Sequence, residues 1–139
     1  MTFIILDPLI QGWIIRFFRE ATADISASYH TEEPLLSANL VLQAMEKFQK
    51  AIHLCLGDPN DIQELLYYKI NSSNPFYDLL FPIQKIIQYW LQKILYFEIF
   101  NIEELRTDAK RIFNIARIFV INFSGDKIPS QIEIYPENS

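Results

Sequence analysis

The sequence predicts an all-α fold, an antiparallel bundle of about five helices followed by an extended C-terminal tail. Three observations carry this expectation. Apolar residues recur at spacings of three and four along most of the 139 residues, the signature of amphipathic helices. Helix start and stop signals divide the chain into segments of helical length. Three glycines are too few for a turn-dense sandwich or barrel, and no strand-like alternation occurs before residue 128. With 50% hydrophobic and 14% aromatic residues, the chain can bury one core, and its length leaves no room for a second. One helical domain is expected over residues 1–125, with 126–139 as an extended or flexible tail.

Asp7-Pro8 opens the first helix with a capping oxygen and a proline at its first position. Leu9, Trp13 and Phe17, with Ile14, Phe18, Ala21 and Ile25, carry it to about Ser28. Gly12 is its one soft position and is expected where another helix packs closely. A polar connection, His30-Thr31-Glu32-Glu33-Pro34, leads to a second helix capped by Ser37. Its face is Leu40, Val41, Ala44, Met45, Phe48, Ile52 and Cys55, and Gly57 closes it. Asp58-Pro59 starts a short third helix on Ile62, Leu65, Leu66 and Ile70, which Asn71-Ser72-Ser73-Asn74-Pro75 breaks.

From Phe76 the chain is expected to be helical through Asn101, with Pro82 either a kink or the true first turn. Ile83, Ile86, Ile87, Trp90, Leu91, Ile94, Leu95 and Phe97 make this segment apolar nearly all round, so it is expected to be the central helix. Asn101-Ile102-Glu103-Glu104 reads as a capping box with Glu104 reaching back to the cap amide. Ile102, Leu105, Ala109, Ile112, Ala116, Phe119 and Phe123 then follow on one face, and Gly125 ends the helix. The predicted core is Trp90, Ile94, Ile87, Phe48, Ile112, Ala116 and Phe119. The tail alternates from Ile128 to Tyr135 like a short strand without a partner strand.

Composition excludes more functions than it proposes. One cysteine and two histidines rule out a disulfide framework and leave little for a metal cage, so no cofactor or metal is expected. His53 and Cys55, two residues apart on a helix, point about 200° from each other and cannot share a proton or a metal. His30 has no neighbouring ligand. Nine of the seventeen acids sit at helix starts, where they offset the helix dipole at about 0.3–1 kcal/mol each without invoking paired-acid catalysis. No enzymatic activity is expected. The N-terminus has no basic region of a signal peptide. The apolar stretches are cut by Arg16, Lys85, Lys93, Glu98 and Arg117 before the ~20 residues a membrane span needs. Cytoplasm is the simplest inference.

Basic residues lie in helix bodies. Arg106, Lys110 and Arg117 fall within about 40° of one another at 100° per residue, and Asn114 extends the row. From Arg106 to Arg117 the rise is about 16.5 Å. Lys47 and Lys50, with Asn39 and Gln43, make a similar row on the second helix, and Lys85, Gln88 and Gln92 a third. The bland alternative is a set of solvated faces. The sharper one is a surface that tracks nucleic-acid phosphate without reading sequence, with Arg106, Lys110, Asn114, Arg117, Lys47 and Lys50 as its residues. The net charge of −5 weakens long-range steering towards such a partner. Aromatic neighbours (Tyr67-Tyr68, Phe76-Tyr77, Tyr89-Trp90, Tyr96-Phe97) force one member of each pair off the core face, to stack on a base or to anchor a protein interface.

The final helix, Arg106-Thr107-Asp108-Ala109-Lys110-Arg111-Ile112-Phe113-Asn114-Ile115-Ala116-Arg117, and the aromatic helix before it resemble the small subunit of a CRISPR effector complex over about the last third of the chain. The type I-D branch is the nearest likeness; there the small subunit resembles the C-terminal helical region of the large subunit and is made from inside its gene. The resemblance implies a non-catalytic subunit of an antiviral ribonucleoprotein. Several copies would pack along a crRNA-bearing backbone, scaffold neighbouring subunits and hold target or displaced strand through phosphate contacts. The alternative is a helical protein–protein adaptor or regulatory subunit with no nucleic-acid role. A small-molecule-binding bundle would have to build its polar group from His53 and tyrosine hydroxyls.

Overall fold

The computed structural model describes residues 8–56, 77–96, 98–124 and 128–132. Four helices account for most of them: α1 (Pro8–Ser28), α2 (Pro34–Cys55), α3 (Tyr77–Leu95) and α4 (Ile102–Ser124). No strand occurs among the described residues. The expected short helix over Ile62–Ile70, the breaks near 57–58 and 71–75, and the closing glycines Gly57 and Gly125 lie outside them.

α1 begins at Pro8 and ends at Ser28, as its punctuation predicts. Its inward stripe of Ile14, Phe18, Ala21 and Ile25 is fully buried. α2 starts earlier than expected. Glu33, not Ser37, is its N-cap, accepting the Leu36 amide at 2.7 Å, with Pro34 at the first helical position. Pro34 sets the start because its fixed φ suits N1 and its missing N–H is no loss there. Ser37 is thereby drawn inside the first turn and buried.

α2, and not α3, is the central helix. It packs on α1, α3 and α4, while α3 meets α2 and α4 more lightly. Small residues at Ala38, Ala44 and Ala51 let neighbours approach α2 from more than one side. α3 instead buries one stripe, Leu80, Ile83, Ile87, Trp90 and Ile94, and leaves Tyr89 and Leu95 in water. Among the described residues no helix covers the far side of α3, so its apolar composition all round does not make it central.

The contacts also fix direction. Ser28 meets Ser37, and Asp24 meets Lys47, so α1 and α2 run antiparallel. Arg106 meets Ser37, whereas Phe113 meets Phe48, so α2 and α4 run parallel and both oppose α1. Phe18, Phe48 and Phe113 form the centre, with ring centroids 5.3–5.7 Å apart. Of the predicted core, Trp90, Ile94, Ile87, Phe48, Ile112 and Ala116 are buried. Phe119 is only half-buried, because it lies at the edge of the α4 stripe where Val120 takes the inward position.

α3 stops at Leu95, six residues short of expectation. The Tyr96 N–H makes a last ordinary helical bond, to Gln92 O at 3.0 Å, and the Glu98 N–H then donates to Lys93 O at 2.9 Å, a six-to-one bond of the kind found at helix ends. Pro82 lies within the helix, where it removes the bond that the Asp78 carbonyl would otherwise accept. Asn101 caps α4 through Oδ1, which accepts the Glu103 amide at 2.8 Å. Within the tail, Ile128 is buried and Ile132 packs against the core.

Candidate functional site

The cation rows are the only constellation that the sequence offers as a site, and the structure disperses them. Arg106, expected to head the row on α4, is 8% exposed. Its Nη2 donates to Ser28 O at 2.8 Å and to Ser37 Oγ at 3.1 Å, its Nε donates to Ser28 Oγ at 3.2 Å, and its Nη1 donates to Glu103 Oε1 at 2.6 Å. The guanidinium also lies over the Tyr29 ring, 4.0 Å from its centroid. A planar fork of five donors suits such a junction better than any other side chain. Ser28 O is the last carbonyl of α1 and needs a partner as the helix ends. Arg106 therefore locks the end of α1 to the start of α2 and is withdrawn from any phosphate.

The other five residues separate as well. Lys47 bonds Asp24 at 2.8 Å and stands 3.6 Å from Glu20 across the α1–α2 seam. Lys50 pairs with Glu46 at 3.1 Å and lies over the Phe17 ring at 5.7 Å. Arg117 is half-buried, its Nε donating to Pro129 O at 3.2 Å, and so fastens the tail to α4. Only Lys110 and Asn114 are exposed. Lys110 sits 5.8 Å from the Tyr29 centroid, and both residues edge a groove of about 250 Å³ closed by Phe113, Ser130, Gln131 and Ile132. The acids on these rows are not confined to helix starts once the chain folds. Glu20, held below the usual carboxylate range chiefly by its hydrogen bond from Arg16 and further by Lys47, stays charged and compensates its neighbours.

A larger groove, about 390 Å³, runs between α3 and α4 beside Tyr89, Trp90, Glu103, Glu104, Thr107, Asp108 and Arg111. Trp90 Nε1 donates to Asp108 Oδ2 at 2.7 Å, and Arg111 reaches Asp108 Oδ1 at 3.3 Å. With Glu103 paired to Arg106 and Asp108 to Arg111, Glu104 leaves this wall with a net negative charge, which disfavours an anionic strand. The capping acid that finds a side-chain partner is Glu103, through Arg106, and not Glu104.

His53 and Cys55 are both buried. Burial pushes the Cys55 thiol up to about 12, so it stays protonated at neutral pH and offers no nucleophile. Among the described residues, no group of three His, Cys, Asp or Glu side chains could hold a metal, and no helix is long and apolar enough to cross a membrane. Sequence reasoning missed Ser28, Ser37 and Tyr29 as the partners of Arg106. The one available signal is that Ser28 and Ser37 occupy inward positions of the α1 and α2 stripes, three residues from Ile25 and four from Val41, where an apolar residue is expected.

The arrangement defines an all-helical domain in which Arg106 and Lys47 tie helices together and the unburied aliphatic residues collect elsewhere. No family model matches the chain, and no curated protein or solved structure matches it.

Proposed function

We propose that this chain is a non-catalytic helical subunit that works by binding other proteins, as a scaffold or adaptor. The observation that carries this reading is the apolar corner between α3 and α4. Leu95, Tyr96 and Ile99 are exposed within five residues, Ile99 to 96%, and Tyr89 is exposed one and a half turns earlier. Ile118 and Ile121 add aliphatic surface on α4. A domain with a filled core has no folding reason to hold so much large apolar surface in water, and such patches mark surfaces that a partner covers.

Within the resemblance to the small subunit of a type I-D-like CRISPR effector complex, the scaffolding role is the part this reading keeps. A phosphate-contact role would rest on Lys110 and Asn114 alone, since Arg106, Arg117, Lys47 and Lys50 are engaged within the chain. The test is the mass and composition of the native assembly purified on this subunit at low and high salt. Protein partners that survive high salt and are lost with Leu95→Asp/Ile99→Asp are the expected result. Nucleic acid that leaves as salt rises, with no protein partner retained, would replace the adaptor reading with the phosphate one.

A further inference from the structure

α1 carries a second stripe, on the side away from the core. Leu9, Trp13, Arg16, Glu20, Ala23 and Ala27 follow one another at spacings of four, three, four, three and four, a heptad seam on one helix face. Leu9 is 70% exposed and Trp13 42%; Arg16, Ala23 and Ala27 are exposed and Glu20 is partly so. A face meant only for water needs neither a leucine nor a tryptophan.

We propose that this seam is a self-association surface, on which α1 packs antiparallel against α1 of a second copy about a twofold axis between Arg16 and Glu20. In an antiparallel pair each a position faces a d position, so the residues that meet have numbers with a common sum. Leu9 then faces Ala27 of the second copy, Trp13 faces Ala23, and Arg16 faces Glu20, each contact occurring twice. Large residues oppose small ones in both outer layers, which fills the seam evenly and lets the helices approach. Opposite charges meet in the central layers.

The parallel alternative lacks every one of these matches. It would set Arg16 against Arg16, Glu20 against Glu20 and tryptophan against tryptophan, and leave the alanine layers underfilled. The sequence thus selects orientation as well as partner. Arg16 and Glu20 already bond each other at 3.0 Å within the helix, and Glu20 also stands 3.6 Å from Lys47, so the two copies join these ion pairs into one network at the axis. Phe17 flanks the axis on one side and Arg19 on the other; the Arg19 pair is the one like-charge approach, and its length lets it splay into solvent. From Leu9 to Ala27 the seam is about 27 Å long. A single helical seam of that length lies near the threshold of about 1,000 Å² for a specific interface, which suits a micromolar dimer.

This surface is separate from the α3–α4 corner and does not depend on the adaptor reading. Sedimentation velocity of the full chain over a concentration series into the hundreds of micromolar tests it. The parent should pass from monomer to dimer. Arg16→Glu and Glu20→Arg, each alone, set like charges across the axis and should weaken association at least tenfold, with helical circular dichroism unchanged. Mixed together the two variants are complementary and should form a heterodimer of parental strength. Ile99→Asp should dimerise like the parent. A parent that stays monomeric throughout the series, single variants as dimeric as the parent, or a mixture that fails to associate would each overturn the proposal; the first would assign the seam to a different protein.

Discussion

The junction of α1, α2 and α4 and the edge where α3 meets α4 are built on opposite plans. At the first, Arg106 holds Ser28 and Ser37 from two other helices, and Lys47 spans to Asp24. Three phenylalanines fill the space between. At the second, the indole–carboxylate bond of Trp90 to Asp108 accompanies an apolar stripe, and the outer side keeps Tyr89, Leu95, Tyr96 and Ile99 exposed. Polar bonds are spent where helices must be held in register, and apolar surface is left where something else can bind. A cation is therefore a poor guide to solvent exposure in this molecule, and the adaptor reading we propose rests on the exposed aliphatic residues instead.

The comparison breaks most readily at Trp90. It is 2% exposed, packs edge-on to Phe100 at 6.3 Å and anchors α3 through its largest side chain. Trp90→Ala should cost about 3–5 kcal/mol, a large part of the stability of a domain this size. Chemical denaturation measures it. An unchanged midpoint would mean that α3 is not held through this stripe at all.

Arg106 and Lys110 sharpen it, since they sit one turn apart on α4 and read alike in the sequence. Arg106→Ala strips Ser28 O and Ser37 Oγ of a buried partner and removes packing on Tyr29. It should cost about 2–4 kcal/mol, summing unsatisfied groups of about 1–3 kcal/mol each with partial relief from Ser37, which still donates to Ser28 O. Lys110→Ala should fall within about 0.5 kcal/mol of the parent. Equal effects for the two, measured by thermal unfolding, would erase the distinction between a structural and a solvent-facing cation on α4.

What the sequence makes legible follows from how local each signal is. Pro8, Asn101 and the three-four spacing of α1 and α4 act through neighbours within a turn, and these helices appear near their expected bounds, although Leu9 and Trp13 of the α1 pattern are exposed and Phe119 of α4 is only half-buried. The cation row is different. Its geometry on α4 is correctly read, but whether Arg106 faces water depends on Ser28 and Ser37, 78 and 69 residues away. No periodicity contains that information. The choice of α2 over α3 as the central helix has the same origin: periodicity reports how apolar a face is, whereas the alanines of α2 decide how closely neighbours can come. α3 ends early because the backbone bond at Glu98 closes it, with no glycine or proline to announce the stop.

The smallest stabilising effect expected lies on α1, at Gly12. The sequence suggests a close helix approach there, yet a Cβ built at Gly12 meets nothing within 4 Å. Its backbone is helical and its surroundings open, so glycine brings only the entropy cost of fixing a flexible residue in a helix. Gly12→Ala should stabilise the fold by about 0.5–1 kcal/mol, raising the melting temperature by about 2–4 °C. The measurement belongs in dilute solution, below the range in which α1 would meet a second copy. There no second copy contributes, and a gain shows that Gly12 itself meets no neighbour in the single chain. A loss of stability would mean that something in the chain already packs on Gly12, and the contrast between the bonded inside of α1 and its open outside would fail.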